Sequence, residues 1–178
     1  DHQTAQQNMQ QLTRLKDSVS LWRDLESRSK NLVELTELAL AEDDQSLREQ
    51  LESEYEELTQ TLAREEINLT LSGAYDERPA IVTIHAGAGG TDAQDWAEIL
   101  LRMYGRWADR RGFDLVVESV SEGTEAGISS VEFVVRGRYA YGLLQSERGV
   151  HRLVRISPFN KESKRQTAFA SLQVVPFF

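Results

Sequence analysis

The stretch from Gln3 to Ala41 contains neither glycine nor proline, and this constrains the fold of the N-terminal part more than any other feature. Apolar residues recur in it at spacings of three and four, the spacing of one face of an amphipathic helix. They include Leu12, Leu15, Val19, Trp22, Leu32, Leu35, Leu38 and Ala39. A helix of about 35 residues would extend roughly 50 Å. The first element is therefore predicted to be one long helix.

A second helix is predicted after an acidic interruption at residues 42–44, which supplies N-cap candidates. Its apolar face would consist of Leu47, Leu51, Tyr55, Leu58 and Leu62. Gly73 is the predicted C-cap. We therefore expect residues 1–76 to form a first domain, an antiparallel helical hairpin. Because the chain starts at Asp1 without an initiating Met, we also expect a fragment that lacks a third helical element upstream.

The pattern changes after Asp76 to one of alternating strands and helices. The predicted elements are strand 80–84, helix 91–111, strand 113–120, strand 128–135, helix 139–147 and strand 167–175. Residues 150–156 fit either the end of a helix or a strand. The order β-α-β-β-α-β predicts an α+β domain over residues 77–178, with two layers in which the helices cover one face of a sheet.

Charge is divided unequally between the two predicted domains. Residues 1–78 hold 8 Lys and Arg against 18 Asp and Glu, a formal charge of −10, whereas residues 79–178 hold 12 against 11, a charge of +1. Within the second part, Arg136 to Arg165 contains eight basic and two acidic residues. Such a segment is either a solvated face or a contact surface for a phosphate backbone, since charge acts over a Debye length of about 8 Å.

The composition excludes several classes of function. No apolar run approaches the roughly 18 residues of a membrane helix and no leader pattern suggests export, so we expect no membrane partner and a cytoplasmic or organelle-interior location. The absence of cysteine and the scattering of His2, His85 and His151 predict no metal site and no cofactor. Without a nucleophile beside a base, we predict no catalytic residue.

The glycine-rich stretch Gly87 to Gly90 lies between a predicted strand and a predicted helix, where such loops can bind phosphate. Its spacing does not fit a dinucleotide fingerprint, which needs glycine where Asp92 stands, and the Gly-Lys-Ser/Thr of a P-loop is absent. What remains is a cluster of backbone amides at a helix start. This cluster can read the edge of a base, or Thr91 can simply be an N-cap with Asp92 satisfying the helix dipole.

The most unusual segment runs from Arg152 to Phe169 and contains the tripeptide Ser157-Pro158-Phe159 between basic flanks. Proline restricts the residue before it to extended conformations, so we expect a protruding hairpin with Phe159 and the Ser157 hydroxyl projecting near its tip. An exposed ring can stack on unpaired bases, worth about 1–3 kcal/mol each, and the hydroxyls of Ser157 and Thr167 can discriminate base edges. The alternative is an ordinary loop with Phe159 packed against the body.

Several separated blocks together resemble the bacterial class I peptide chain release factors, and more closely the type 2 members, which read UAA and UGA. The blocks are His85 to Ala97, Tyr139 to Gly142, Gly149 to Arg155 and Ser157 to Phe159. Their order and their spread over nearly the whole chain make the resemblance specific. The acidic hairpin resembles the first domain of the family, and the remainder resembles its codon-reading second domain.

The resemblance implies a role for each matching position. Ser157, Pro158 and Phe159 match the tripeptide that discriminates the second stop-codon base, where the other type of the family carries Pro-x-Thr and reads UAG. Gly89 and Asp92 match positions that read the first uridine, and Asp92 replaces a glutamate common in the family. Thr167 matches a residue that contacts the second and third bases. Gln166 stands where many members have a histidine that packs against those bases.

The resemblance also implies a non-enzymatic monomer whose partner is the ribosome, through the mRNA stop codon and ribosomal RNA. The predicted contacts to the RNA backbone are Arg152, Arg155, Lys164 and Arg165. The acidic hairpin is a candidate contact for a ribosomal protein or a methyl-transfer enzyme. The hydrolytic Gly-Gly-Gln loop of the family lies in a later domain and does not occur in this chain, so we expect no peptide release by the chain alone. The alternative function is that of a release-factor-derived protein that binds RNA, affects RNA stability and has lost termination activity.

Overall fold

The computed structural model describes the backbone of residues 2–178 and the side chains of residues 4–6 and 8–178. The chain forms two compact units, of which the first ends at Leu69 and the second runs from Thr70 to Phe178. The predicted domain boundary, after residue 76, lies later in the chain than the boundary between these units. Residues 70–76 join the second unit because the buried Asp76 carboxylate accepts hydrogen bonds from the Gly73 amide at 2.8 Å and from Gln145 Nε2 at 2.9 Å.

The first unit is the predicted helical hairpin. Its helices are α1, His2–Ala41, and α2, Arg48–Leu69. They pack through the buried Leu25 and through Arg28, whose guanidinium pairs with Glu54 at 2.8 Å. The prediction that Gly73 caps the second helix is wrong, since α2 ends four residues earlier and the Gly73 amide donates to Asp76 instead.

The second unit is built on one antiparallel sheet of five strands in the order β2-β3-β1-β5-β4. Its elements are β1 Ala80–Ala86, α3 Thr91–Arg111, β2 Asp114–Glu122, β3 Ile128–Arg136, α4 Ala140–Leu144, a 3₁₀ turn Gln145–Glu147, β4 Gly149–Ile156 and β5 Arg165–Pro176. The predicted α+β class is confirmed. The predicted order β-α-β-β-α-β does not include β4. Residues 150–156, which fitted either the end of a helix or a strand, belong to a strand in the structure.

Helix α3 supplies the core with one apolar face. Its buried residues, spaced to lie on that face, are Ala93, Ala97, Leu100, Tyr104 and Ala108. They pack against buried sheet residues such as Val82, Phe133 and Leu172. The pairing of β1 with β5 continues into the glycine-rich turn, where the Gly87 amide donates to the Phe169 carbonyl at 2.7 Å. The start of α3 is therefore held beside the first residues of β5.

Neither a membrane span nor a metal cluster is found in the part of the chain that the structure describes. No helix there is long and apolar enough to cross a bilayer. No group of three or more His, Asp or Glu side chains among the described residues could hold a metal ion. The side chain of His2, one of the three histidines considered from sequence, lies outside the described residues.

Candidate nucleic-acid interface

The glycine-rich turn brings the start of α3 against β5. Gly89 and Gly90 have φ values of 130° and 56°, in the region that favours glycine. A Cβ atom on Gly89 would lie 3.1 Å from Ala168 Cα and 3.3 Å from Ala93 Cβ. The absence of a side chain at Gly89 therefore allows helix and strand to approach each other at this point.

The N-cap of α3 is Gly90, and no side chain caps the helix. The Gly90 carbonyl accepts the amide of Ala93 at 3.0 Å. The alternative in which Thr91 is the N-cap is wrong, because the Thr91 hydroxyl donates to Glu125 Oε2 at 3.2 Å. The Gln94 amide also donates to the Gly90 carbonyl, at 3.2 Å, so the amides of Thr91 and Asp92 are those that a ligand oxygen can bind at this helix start.

The loop between β4 and β5, residues 157–164, forms a hairpin with an ordered tip. The Ser157 amide donates to the Lys164 carbonyl at 3.4 Å, which closes the base of the loop. At the tip, Asn160 Oδ1 accepts the Glu162 amide at 2.9 Å, a local turn typical of asparagine. Phe159 is 44 % exposed, so its ring is not packed in the interior.

Ser157 is bonded to α3 across the site. It is 3 % exposed, its hydroxyl donates to Asp92 Oδ2 at 2.6 Å, and its oxygen accepts the Phe159 amide at 3.1 Å. The expectation that this hydroxyl projects into solvent is wrong, because the Asp92 carboxylate on the first turn of α3 faces the loop. A hydroxyl has one donor and two lone pairs. Ser157 therefore keeps one lone pair for a ligand, and it can donate to a ligand only after leaving Asp92.

Arg155 lies beneath this contact and joins it to a second carboxylate. Its Nη2 donates to Asp95 Oδ2 at 2.5 Å and to Asp92 Oδ1 at 3.3 Å. All three side chains are at most 27 % exposed. The guanidinium thus orients Asp92, and the prediction that Arg155 is available to an RNA backbone does not agree with this geometry.

These elements enclose an open cleft of about 510 Å³. It is lined by Gly89, Thr91, Asp92, Ser157, Phe159, Asn160, Lys161, Glu162 and Gln166. Five of the seven residues predicted to read the codon are among them, whereas Pro158 and Thr167 are not. Thr167 pairs with Val154 on β4, and successive residues of a strand point to opposite faces. Gln166 faces the cleft, so Thr167 faces the other side of the sheet.

The residues predicted to contact the RNA backbone do not line the cleft. Lys164 pairs with Glu162, and Arg152 and Arg165 are exposed on β4 and β5 outside the lining. Among the described residues that line the cleft, the cation is Lys161. Sequence reasoning did not select Lys161, because the chain shows several cations near the tripeptide and spacing alone does not say which one faces the turn before α3.

An α+β domain with this cleft corresponds to a known family. Residues 1–172, which include the first unit and all but the last six residues of the second, match the family described as the PCRF domain. The chain belongs to this family.

Within the family, the similar proteins are named peptide chain release factor 2. The chain is 53 % identical over 172 residues to that of Chloroflexus aggregans, covering 97 % of the chain and 47 % of the relative. It is 49 % identical over 176 residues to that of Thermomicrobium roseum, covering 99 % and 46 %. The solved structure of RF2 of Thermus thermophilus matches 92 % of the chain and 46 % of its own length, with a TM-score of 0.62 and 44 % identity.

The chain thus spans about half the length of the curated relatives that it matches. The resemblance to type 2 release factors that the sequence blocks indicated is confirmed. The relatives cited all carry the name of a release factor, which gives no support to the alternative of an RNA-stability protein.

Proposed function

We propose that this chain is the stop-codon-reading part of a type 2 release factor and that it recognises UAA and UGA on cytoplasmic ribosomes during translation termination. The observation that carries the proposal is the cleft in which the Ser157 to Phe159 tripeptide and the uncapped start of α3 meet. Its volume of about 510 Å³ lies within the range of about 300–1,000 Å³ of ligand sites. The partners would be the mRNA codon and ribosomal RNA.

The chemistry of the lining suits an unpaired codon. The half-exposed ring of Phe159 offers a stacking surface, and the amides at the start of α3 offer donors to the carbonyl oxygens of a base. The Ser157 oxygen has a free lone pair that can accept the amino group of adenine. After rotation away from Asp92, the same hydroxyl can donate to the carbonyl oxygen of guanine. Ser157 can thus form a hydrogen bond with either purine at the second codon position.

Peptide release itself we assign to the part of the relatives that this chain does not cover. The test therefore uses a chimera in which this chain replaces the matching region of release factor 2 of Chloroflexus aggregans. Release of peptide is measured on ribosomes that carry UAA, UGA, UAG or the sense codon UGG. We expect release on UAA and UGA, and background rates on UAG and UGG.

The same chimera with Ser157→Pro and Phe159→Thr carries the Pro-x-Thr pattern of the other type. We expect this variant to lose release on UGA, because a proline lacks the hydroxyl that donates to the carbonyl oxygen of guanine. We expect it to gain release on UAG, the codon that the Pro-x-Thr type reads. Ser146→Ala is the matched control, since its hydroxyl bonds locally to the Leu143 carbonyl and does not line the cleft. An unchanged preference for UGA over UAG in the Pro-x-Thr variant would refute the proposal.

A further inference from the structure

The charges around the cleft are almost all paired. Two carboxylates line the cleft, those of Asp92 and Glu162. Asp92 is paired with Arg155 and Glu162 with Lys164, and neither of these cations lines the cleft. Arg155 is shared with Asp95, which lies beside it on α3. These five groups carry three negative and two positive charges. Without a further cation, the cleft would present a net negative charge to any polyanion.

Lys161 offsets one of these negative charges. It is exposed and lines the cleft, and none of the ion pairs found among the described residues involves it. Its position is fixed by the tip of the loop, where Asn160 accepts the Glu162 amide and the Ser163 amide donates to the Asn160 carbonyl at 3.1 Å. The turn thus holds Lys161 two residues after Phe159, in the lining of the same cleft.

We propose that Lys161 binds the phosphodiester backbone of the mRNA in the cleft, and that the pair of Glu162 with Lys164 limits the strength of this contact. The inference rests on the proposed function, because it names the ligand group that the same site would hold. One phosphate contact on a single strand contributes about 0.7 to the slope of log affinity against log salt. Removing Lys161 should reduce the slope by that amount, whereas releasing Lys164 from Glu162 should increase it.

The experiment titrates the fluorescently labelled 178-residue chain against ribosomes programmed with UGA or with UGG, at several salt concentrations. Lys161→Ala should bind UGA ribosomes about 5-fold more weakly at low salt, as expected for one ion pair in water. Across a four-fold rise in salt, the chain should lose about 3-fold more affinity than this variant. Lys161→Arg should behave as the unmodified chain does, and Glu162→Gln should bind more tightly with a steeper slope.

Lys16→Ala, which removes an exposed lysine of the helical unit, is the control for non-specific charge effects. Opposite changes in slope for Lys161→Ala and Glu162→Gln, with preference for UGA over UGG retained, would support the inference. If the unmodified chain prefers UGA but both variants keep its slope, the role of Lys161 is overturned and the proposed function stands. If the unmodified chain binds UGA and UGG ribosomes equally, both are overturned.

Discussion

Replacing Ser157 with Ala is expected to destabilise the second unit by about 2–4.5 kcal/mol. The hydroxyl makes a bond of 2.6 Å to the carboxylate of Asp92, and a bond of this kind to a charged group is worth about 1.5–3 kcal/mol. It also accepts the Phe159 amide at 3.1 Å, worth about 0.5–1.5 kcal/mol. Because Ser157 is 3 % exposed, little water is present to replace the bonds that its partners lose.

The bond to Asp92 should also be visible as coupling in a double-mutant cycle. Asp92→Ala removes the same bond together with the 3.3 Å contact to Arg155, which keeps its 2.5 Å bond to Asp95. The shared bond can be lost only once. The double variant should therefore be about 1.5–3 kcal/mol more stable than the sum of the single losses predicts.

The cycle is measured by urea unfolding followed through tryptophan fluorescence. Trp22 belongs to the first unit and Trp96 and Trp107 belong to the second, so a Trp22→Phe background restricts the signal to the second unit. Asp92→Ala combined with Ser146→Ala is the control pair and should be additive. Additivity within about 0.5 kcal/mol for Ser157 and Asp92 would refute the reasoning.

Two further predictions concern the support of the site. Burial and the bond to Glu147 raise the pKa of Tyr104, so its phenol stabilises the fold below the unfolded pKa of about 10 and this contribution is lost above it. Tyr104→Phe should weaken the decline of the urea midpoint between about pH 9 and about pH 11; an unchanged decline would contradict this. Gly127→Ala places a Cβ 2.3 Å from the Gln94 carbonyl oxygen at a φ of 71° and should cost at least about 2 kcal/mol. Gly105→Ala, which meets no atom within 4 Å inside α3, should instead stabilise by about 0.5–1 kcal/mol, and equal urea midpoints for the two variants would refute the comparison.

Local sequence signals were sufficient where glycine fixes the end of an element. The predicted bounds of α3 agree with the structure because Gly90 and Gly112 both have positive φ values, of 56° and 68°, that end the helix on either side. The sequence does not distinguish the strand β4 from the end of a helix, because β4 lies at an edge of the sheet. There Val150 and Ile156 are exposed and alternate with residues such as His151, so the apolar pattern does not mark a buried face.

The candidate site shows the opposite limit of sequence reasoning. The family blocks identified Ser157, Phe159 and Gly89, which line the cleft. They could not identify that Arg155 is held in internal ion pairs, because its partners Asp92 and Asp95 lie far from it in sequence. Arg155 and Asp92 are separated by 63 positions and meet only in the tertiary fold. Charge composition therefore predicts a basic segment. Only the tertiary fold shows which of its cations form internal ion pairs and which are available to a ligand.

The bond between Ser157 and Asp92 affects codon choice if the chain reads codons as proposed. Adenine at the second position donates to the free lone pair of Ser157 and leaves the bond to Asp92 intact. The carbonyl oxygen of guanine must accept a hydrogen bond from the Ser157 hydroxyl, which then no longer donates to Asp92 at 2.6 Å. Recognition of UGA then carries a cost that recognition of UAA does not, and the size of that cost depends on Asp92. In the release assay of the chimera, half-maximal release on UAA should thus require less protein than on UGA.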